Sequence, residues 1–288
     1  MIIEDKKLYQ VGGVVRDEIL GIESVDVDFC YEGNAIEFAQ NSGLNIVKTN
    51  PAFGTVRVQL GNKEIDIAST RSEEYPRKGH LPVIKTIGCP IKEDLIRRDF
   101  TINAIAKRTT DGEIIDIFNG LGDIKTKTLK ILHDNSFIDD PTRIIRGLKF
   151  SVRFGFELEK RTEELQKEYL KNVNYDMSYH RLKNEIKSAF SLNRHEIFDK
   201  FTEGKMYKLL CEKDFGYNIQ SLEIEKLIKK NPSENSWLVY LSFFDLSKLD
   251  LTKQEKKILE ASNKETDRNT PQESLLIKEI RRNICQKY

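Results

Sequence analysis

The hydrophobic pattern of this chain changes character near residue 136. Before that point, short β-branched runs alternate with turn signals and helical patches, which predicts a mixed α/β region. The predicted strands are Leu8–Val11, Val25–Tyr31, Asn45–Lys48, Thr55–Leu60, Glu64–Ile67 and Glu113–Ile117. The stretch from Ser69 to Pro90 has few periodic apolar residues, so we expect a long mobile loop there.

After residue 136 the strand signal disappears and apolar residues recur at helical spacing. The predicted helices are Ile144–Phe154, Thr162–Leu170, Arg181–Phe190, Glu196–Leu210, Leu222–Lys229, Trp237–Leu246, Lys253–Ser262 and Glu273–Cys285. The sequence therefore predicts an α+β protein in three parts. A mixed α/β head spans residues 1–135, a helical neck spans 136–200 and a helical body spans 201–288.

Composition excludes several classes of protein. Hydrophobic residues make up 39% and charged residues 32% of the 288-residue chain, which is an ordinary globular mixture. The segment from Met1 to Leu8 is short and charged and lacks the long apolar run of a secretory leader. No apolar run in the chain is long enough to predict a membrane span. The four cysteines are far apart and form no CxxC pair, so we expect a reduced, cytoplasmic protein without a structural zinc site.

The net charge of +1 conceals an uneven distribution. Residues 1–66 contain 6 Lys or Arg against 11 Asp or Glu, which gives −5, whereas residues 67–155 contain 16 against 12, which gives +4. An acidic start followed by a basic middle suits a protein that binds cations at one place and phosphates beside it. The alternative is ordinary solvated surface charge.

Two aspartates in the second predicted strand are candidate metal ligands. Asp26 and Asp28 flank one residue, and side chains at i and i+2 of a strand point to the same face. Two carboxylates so close repel each other unless a cation lies between them, and Mg²⁺ accepts carboxylate oxygens while keeping positions for substrate phosphates. Asp66, in a neighbouring strand, is a candidate third ligand. A solvated strand end is the alternative interpretation.

A glycine pair lies between the first predicted strand and a predicted helix over Val14–Leu20, which Gly21 would close. At such a turn, the backbone N–H groups and the helix dipole favour an anion such as a triphosphate. Gly12 and Gly13 are therefore candidate nucleotide-binding residues. The same pattern also fits an ordinary tight turn.

The combination of these motifs is more specific than either one alone. Gly-Gly-Val-Val-Arg-Asp at residues 12–17, followed by the aspartate pair, resembles the nucleotidyltransferase motif of the DNA polymerase beta superfamily. More narrowly, it resembles class II tRNA nucleotidyltransferases and bacterial poly(A) polymerases. The resemblance continues over roughly the first 190 residues, and it implies a polymerase-beta-like head with Asp26 and Asp28 as catalytic residues and Arg16 at the nucleotide.

Two further motifs follow in the family's order. Residues 97–104, Arg-Arg-Asp-Phe-Thr-Ile-Asn-Ala, are similar to the ribose-recognition motif, and the resemblance implies that Arg98, Asp99 and Asn103 bind the nucleotide near its 2′-hydroxyl. A surface salt-bridge cluster is the alternative. Residues 116–123 resemble the hinge between head and neck, with Asn119-Gly120 where the family usually has two glycines; Asn tolerates left-handed backbone angles, so the turn can survive.

Residues 137–146, Phe-Ile-Asp-Asp-Pro-Thr-Arg-Ile-Ile-Arg, match the base-selection motif. Asp140 and Arg143 are three apart, so on a helix they share one face. Asp accepts hydrogen bonds and Arg donates them, so the pair can accept cytosine and adenine and reject guanine and uracil, whose edges present the reverse order. As an alternative, Asp140 before Pro141 is a good N-cap. Arg146 follows on the same helix and can meet a triphosphate or the tRNA backbone.

The resemblance implies a template-independent, Mg²⁺-dependent enzyme that acts on tRNA with ATP and CTP. From the lack of a long apolar run we expect no membrane partner. We expect full CCA addition, because one Asp–Arg pair serves both nucleotides. Two segments, residues 75–82 and Leu132–Arg146, look more like enzymes that add only the terminal A, so A-only addition is an alternative, and poly(A) synthesis is a weaker one. A non-catalytic RNA-binding protein with the same fold is the alternative from another class.

Overall fold

The chain forms two compact units. The computed structural model describes residues 4–24, 27–283 and 285–287. The first unit comprises Met1–Ser136 with Glu157–Thr162, and the second comprises Phe137–Phe156 with Glu163–Tyr288. The three-part division at residues 135 and 200 stays a prediction.

A seven-stranded mixed sheet forms the centre of the first unit. The strands of this unit are β1 (Leu8–Val11), β2 (Asp28–Tyr31), β3 (Asn45–Asn50), β4 (Thr55–Leu60), β5 (Lys63–Ser69), β6 (Arg71–Glu74), β7 (Val83–Ile87), β8 (Ile105–Arg108), β9 (Ile114–Asp116), β10 (Thr128–Leu129) and β11 (Glu157–Leu158). Its helices are α1 (Gly13–Leu20), α2 (Ala35–Asn41), α3 (Ile91–Ile96) and α4 (Gly120–Lys125). The order in the sheet is β3-β4-β5-β2-β1-β8-β9, and β2 pairs with β5 in parallel while the other neighbours are antiparallel.

Alternation along the strands divides the sheet into two faces. One face packs against α2, where Val56 and Val58 of β4 and Ile65 and Ile67 of β5 are buried. On the opposite face, Cys30 of β2 packs with apolar residues of β1, α3 and β8. Since side chains at i and i+2 share a face, the residues that alternate with these valines and isoleucines point toward the α3 side.

The segment from Ser69 to Pro90 is not a structureless loop, so that prediction is wrong. Strands β6 and β7 form an antiparallel ribbon, with Arg71 opposite Ile87 and a register shift after Ser72. The ribbon pairs apart from the main sheet and much of it is exposed, and therefore it carries no strict apolar alternation.

The second unit is mainly helical, which confirms the predicted succession of a mixed head and a helical region. Its helices are α5 (Ser136–Asp139, beginning at the unit boundary), α6 (Thr142–Phe154), α7 (Lys160–Lys171, which begins in the first unit), α8 (Tyr179–Phe190), α9 (His195–Glu203), α10 (Ser221–Lys230), α11 (Ser236–Leu241), α12 (Lys253–Ala261) and α13 (Gln272–Asn283). It is not all-helical, because β12 (Tyr217–Ile219) pairs with β13 (Cys285–Lys287), whose first residue was the predicted last residue of the final helix. None of the helices in the described ranges is long and apolar enough to cross a membrane.

An aromatic cluster fills the helical core. Trp237 and Tyr240 of α11 are fully buried, and Phe190 and Phe201 meet edge to face with ring centroids 5.3 Å apart. The single helix predicted over Glu196–Leu210 is interrupted, because Lys205 adopts a left-handed φ of 55° and a 3₁₀ turn follows. Gly204, which caps α9, is the sequence signal for this break that the helical periodicity concealed.

Candidate active site

The predicted glycine turn joins β1 to α1. Gly12 caps α1 with φ 67° and ψ −121°, a conformation that favours glycine, and a Cβ atom there would lie 2.8 Å from Nη1 of Arg98. Its N–H donates to the carbonyl oxygen of Ile105 at 3.1 Å, so that N–H is already engaged within the protein. Gly13 begins α1, and Gly21 closes the helix in the left-handed conformation as predicted. The anion-binding role of Gly12 and Gly13 stays a prediction.

Three predicted nucleotide-binding residues form one buried hydrogen-bond chain beside this turn. Arg16 donates through Nε and Nη2 to Oδ1 of Asp17, and through Nη1 to Oδ1 of Asn103. Asn103 in turn donates through Nδ2 to Oδ1 of Asp99 at 2.9 Å. The structure therefore brings Arg16, Asp99 and Asn103 together and fixes their orientation, while their contact with a ribose stays a prediction.

A row of three charged side chains crosses the α3 face of the sheet. Asp28 begins β2 and lies opposite Asp66 of β5, and Asp66 lies opposite Arg57 of β4. Residues opposite each other in neighbouring strands project to the same side, so the row Arg57–Asp66–Asp28 runs across three adjacent strands. Asp26, the other predicted catalytic residue, lies outside the described residues.

Asp66 forms a two-pronged ion pair with Arg57. Nε of Arg57 donates to Oδ1 of Asp66, and Nη2 donates to Oδ2, both at 2.7 Å. The hydrogen bonds from Arg57 lower the pKa of Asp66 below its usual value. The side chain of Arg57 is 47% exposed and that of Asp66 is 49% exposed. Asp66 is thus placed beside Asp28 as predicted for a third metal ligand, but both of its oxygens already accept from Arg57.

A second group of ion pairs is centred on two carboxylates, Asp94 and Glu73, whose side chains are 0% and 4% exposed. Asp94 of α3 is fully buried and accepts from Nε and Nη2 of Arg97 and from Nη2 of Arg98, at 2.8–3.0 Å. Glu73 of β6 accepts from Arg71 at 2.7 Å and from Arg97 at 3.3 Å. Burial alone would raise the pKa of Asp94, but Arg98 and Arg97 lower it below its usual value. Asp94 therefore stays ionised and holds the two guanidinium groups in place.

The charged row and the arginines of the second group line a cavity of about 460 Å³, whereas Asp94 and Glu73 are not part of its lining. Its charged lining consists of two acidic and five basic residues, namely Asp28, Asp66, Lys48, Arg57, Arg71, Arg97 and Arg98. Cys30 also lines it, and burial raises the pKa of this thiol to about 12, so it is neutral near pH 7. Carboxylates surrounded by an excess of guanidinium and ammonium groups suit a polyanion that carries a divalent cation.

Sequence reasoning missed Arg57, Glu73 and Asp94. Two of them had a readable signal. Asp94 precedes Arg97 and Arg98 by three and four residues, the spacing at which helical side chains meet. Arg57 faces Asp66 because Leu60 pairs with Lys63 across a two-residue turn, and each step outward pairs one more residue on either side. Glu73 lies in the ribbon that was predicted to be a loop.

The predicted hinge segment is tightly packed inside the first unit. Asn119 adopts φ 61° and ψ 35°, which confirms that it supports the left-handed turn. A Cβ atom at Gly120 would lie 2.3 Å from the carbonyl oxygen of Thr101, so only glycine fits this close approach. The N–H groups of Gly120 and Leu121 both donate to Asp116 at 2.8 Å. Movement about Asn119 and Gly120 stays a prediction.

In the second unit, Asp140 lies just before the helix and not on it, so the expectation of one helical face for Asp140 and Arg143 is wrong. The helix α6 begins at Thr142 with Pro141 as its N-cap. Oδ1 of Asp140 accepts from the N–H of Thr142 at 3.2 Å and from its hydroxyl at 2.6 Å, and these are bonds of the helix-capping type. Oδ2 accepts from Nη2 of Arg181 at 2.5 Å.

The two arginines of the motif lie in different surroundings. Arg143 is 3% exposed, whereas Arg146 is partly exposed and donates to Oε1 of Glu185 at 3.1 Å. Arg181 and Glu185 of α8 therefore hold Asp140 and Arg146 respectively. Base recognition by Asp140 and Arg143 and phosphate contact by Arg146 stay predictions.

Comparison with known proteins identifies the class of the head first. Residues 8–130 match the family described as the Poly A polymerase head domain. Among solved structures, a CCA-adding enzyme in its apo form II superposes with a TM-score of 0.77 at 30% sequence identity, covering 89% of this chain and 66% of the other. A tRNA nucleotidyltransferase complexed with a primer tRNA and an incoming ATP analog superposes with a TM-score of 0.69 at 30% identity, covering 89% of this chain and 80% of the other.

Sequence comparison finds a relative in the same class of enzyme. The A-adding tRNA nucleotidyltransferase of Aquifex aeolicus (strain VF5) is 42% identical over 230 residues, which are 77% of this chain. The chain belongs to the family of tRNA nucleotidyltransferases and poly(A) polymerases. It spans only 27% of the length of the Aquifex relative.

Proposed function

We propose that this chain transfers a nucleotide from a nucleoside triphosphate to the 3′ end of a tRNA, without a nucleic-acid template. The observation that carries the proposal is the row of Asp28 and Asp66 in a cavity whose lining is otherwise basic. A family member in complex with a primer tRNA and an ATP analog superposes on 89% of the chain, which supports both proposed substrates. The three free cysteines of the described part, Cys30, Cys89 and Cys211, fit action in the cytoplasm.

The donor set of the cavity fits a hard divalent cation. Carboxylate oxygens are the ligands that Mg²⁺ prefers, and Asp28 is exposed at the start of its strand. We propose that Asp26, Asp28 and Asp66 hold Mg²⁺, with Arg57 leaving Asp66 when they do. When bound, Mg²⁺ supplies Lewis-acid stabilisation of the phosphates and lowers the pKa of the attacking hydroxyl.

The remaining residues bind and orient the substrates. The 3′-hydroxyl of the tRNA gives up its proton to water and its oxygen forms a bond to the α-phosphorus in line, while the bond from that phosphorus to the bridging oxygen breaks and pyrophosphate leaves. Arg97 and Arg98, fixed by Asp94, supply positive charge for the triphosphate without reorganising during the reaction. Asp99 and Asn103 are proposed to accept and donate at the ribose 2′-hydroxyl.

Base selection is proposed for Asp140 and Arg143 of the second unit. Oδ1 of Asp140 already accepts two hydrogen bonds from Thr142, whereas Oδ2 accepts one from Arg181; because a carboxylate oxygen can accept two, Oδ2 is the oxygen proposed to accept from the base. An acceptor held in this way is preorganised, so a base with the wrong edge loses a bond and the pair does not rotate to recover it. This supports acceptance of CTP and ATP.

Two specificities remain candidates. Full CCA addition follows from one pair that serves both cytosine and adenine. Addition of the terminal AMP alone is supported by a different observation, since the A-adding relative is 42% identical, whereas the CCA-adding structure is 30% identical. Poly(A) synthesis is supported only by the description of the head-domain family.

The test uses the purified chain, Mg²⁺ and three tRNAs that end at the discriminator base, at C or at CC. Each tRNA is offered CTP, ATP or both, and a mock purification from the same host controls for contaminating host enzyme. Extension of all three with both nucleotides establishes CCA addition, and extension of the CC-ended tRNA alone, with ATP, establishes A addition. An unstructured RNA that grows a long A tail would indicate poly(A) synthesis. Failure to extend any RNA would contradict the proposal.

A further inference from the structure

We propose that Arg57 is a positioning residue that exchanges partners when the nucleotide binds. It holds Asp66 before a cation arrives, and it moves to the triphosphate when the cation takes the carboxylate. This inference rests on the proposed nucleotidyl transfer at the same site. It adds a residue that none of the predicted motifs contains.

Two neighbouring negative charges in the row need a positive partner. Asp28 and Asp66 lie opposite each other on parallel strands, and like charges on neighbouring side chains raise the free energy of the folded protein. The strand on the other side of Asp66 presents Arg57 directly opposite it. The hairpin register therefore supplies a compensating positive charge at the position where a cation would otherwise be needed.

Arg57 can leave its carboxylate partner more easily than Arg97 and Arg98 can leave theirs. Arg97 and Arg98 bond Asp94, which has no solvent exposure, so their removal would leave a buried carboxylate without its partners. Arg57 and Asp66 are about half exposed, and water can solvate both groups when they separate. Arg57 also pairs at 3.6 Å with Glu64, a second carboxylate that is about half exposed. Within the same cavity, the structure thus combines two fixed guanidinium groups with one whose carboxylate partners are both open to water, so that it can leave them at little cost.

A bound triphosphate can accept the hydrogen bonds that Arg57 withdraws from Asp66. A guanidinium group offers a planar fork of N–H donors that matches a phosphate as well as it matches a carboxylate. Arg57 already lines the cavity that contains Arg71, Arg97 and Arg98. A nucleoside triphosphate bound there would offer Arg57 several oxygens in place of the two it leaves on Asp66.

The exchange predicts opposite effects on two affinities in the variant Arg57→Gln. Without a competitor at Asp66, Mn²⁺ alone, measured by electron paramagnetic resonance of the free ion, should bind about two- to fivefold more tightly, the gain expected from releasing an exposed ion pair. Binding of a non-hydrolysable ATP analogue with Mg²⁺, measured by isothermal titration calorimetry, should weaken by about tenfold through loss of a charge-assisted contact. A purely structural role for Arg57 would not strengthen binding of the ion.

Two variants make the test specific. Arg161→Gln removes an arginine from another exposed pair of the first unit, with Asp134, and should change neither affinity. In an Asp66→Asn background, Arg57→Gln should no longer strengthen Mn²⁺ binding, because the contested carboxylate is gone. Thermal unfolding of each variant confirms that it is folded.

The exchange is overturned if Arg57→Gln leaves Mn²⁺ affinity unchanged or weakens it, or if affinity for the ATP analogue is unchanged. Neither titration contains tRNA, so failure of the proposed function is seen separately. A wild-type chain that extends no tRNA while the two affinities shift in opposite directions would contradict nucleotidyl transfer and retain the exchange at a nucleotide site.

Discussion

Asp66 in the head and Asp140 in the helical unit are both held by an arginine, but they differ in their exposure to water. The side chains of Asp66 and Arg57 are 49% and 47% exposed, whereas those of Asp140 and Arg181 are 7% and 25% exposed. Asp140 also accepts two hydrogen bonds from Thr142, while the register of three strands places Asp66 beside another carboxylate.

The difference shows how one pair of residue types can serve two purposes. An exposed pair contributes little to stability, so its members can be transferred to an ion or a phosphate at small cost. A buried pair with further hydrogen bonds is costly to break and keeps its direction. The exposed pair is thus suited to binding ligands that come and go, and the buried pair is suited to presenting a fixed acceptor.

The largest effect is expected from Asp140→Ala. This variant leaves Arg181 without its partner and removes both bonds to Thr142, so we expect the free energy of unfolding of the helical unit to fall by about 2–4 kcal/mol. Trp237, the single tryptophan of the chain, is fully buried in this unit, and its fluorescence during urea denaturation reports the loss.

The control for this comparison is an exposed pair on a helix of the same unit. Glu163 and Lys167 are four residues apart on α7 and are 47% and 63% exposed, so Glu163→Ala should change the same transition by about 0.5 kcal/mol or less. Asp66→Ala should likewise have a small effect on unfolding of the head measured by circular dichroism. Equal losses for Asp140→Ala and Glu163→Ala would break the comparison.

A smaller effect is expected from acid. Glu225 of α10 is largely buried, and burial alone would raise its pKa, but hydrogen bonds from Lys229 and His195 lower the pKa to about 2 from a usual value of 4.5. Because the folded pKa is the lower one, this contribution to stability is present above pH 4.5 and is lost as the pH falls toward 2.

We therefore expect the unfolding temperature of the helical unit to fall further in the wild type than in Glu225→Gln as the pH drops below 4.5. The difference between the two falls should be about 2–5 °C. Trp237 fluorescence in thermal scans at a series of pH values measures this difference. If the curves of unfolding temperature against pH are parallel for the two proteins, the ionised form of Glu225 does not contribute to the stability of the helical unit.

Much of the head could be predicted because its strands are short and apolar on defined faces. The predicted bounds of β1 and β4 agree with the structure, and Gly21 ends α1 as expected. The pattern fails for the exposed ribbon β6–β7, because strands without a buried face need no alternation. It also fails for the strand β8, whose short run between two motifs was not recognised.

The site was predictable where chemistry depends on local spacing, and was not where it depends on pairing. Asp28 and Asp66 were named from sequence, and the structure places them on neighbouring strands. Their partners were not named, because the Arg57–Asp66 pair follows from strand register and the Asp140–Arg181 bond joins residues 41 positions apart. The Asp140–Arg181 contact has no signal in a single sequence, whereas the Arg57–Asp66 contact can be read only once the two-residue turn of the hairpin is recognised. These contacts determine which carboxylates can change partners.

The most direct test of the account is single-turnover extension of a CC-ended tRNA with ATP and Mg²⁺, comparing the wild type with Asp28→Asn. The matched control is Asp134→Asn, which alters an exposed aspartate of the same unit that does not line the cavity. We expect Asp28→Asn to slow extension by at least about 10²- to 10³-fold, as when a group that stabilises transition-state charge is removed, and Asp134→Asn to leave it unchanged. Extension by Asp28→Asn at the wild-type rate would contradict the assignment of this carboxylate row as the catalytic centre.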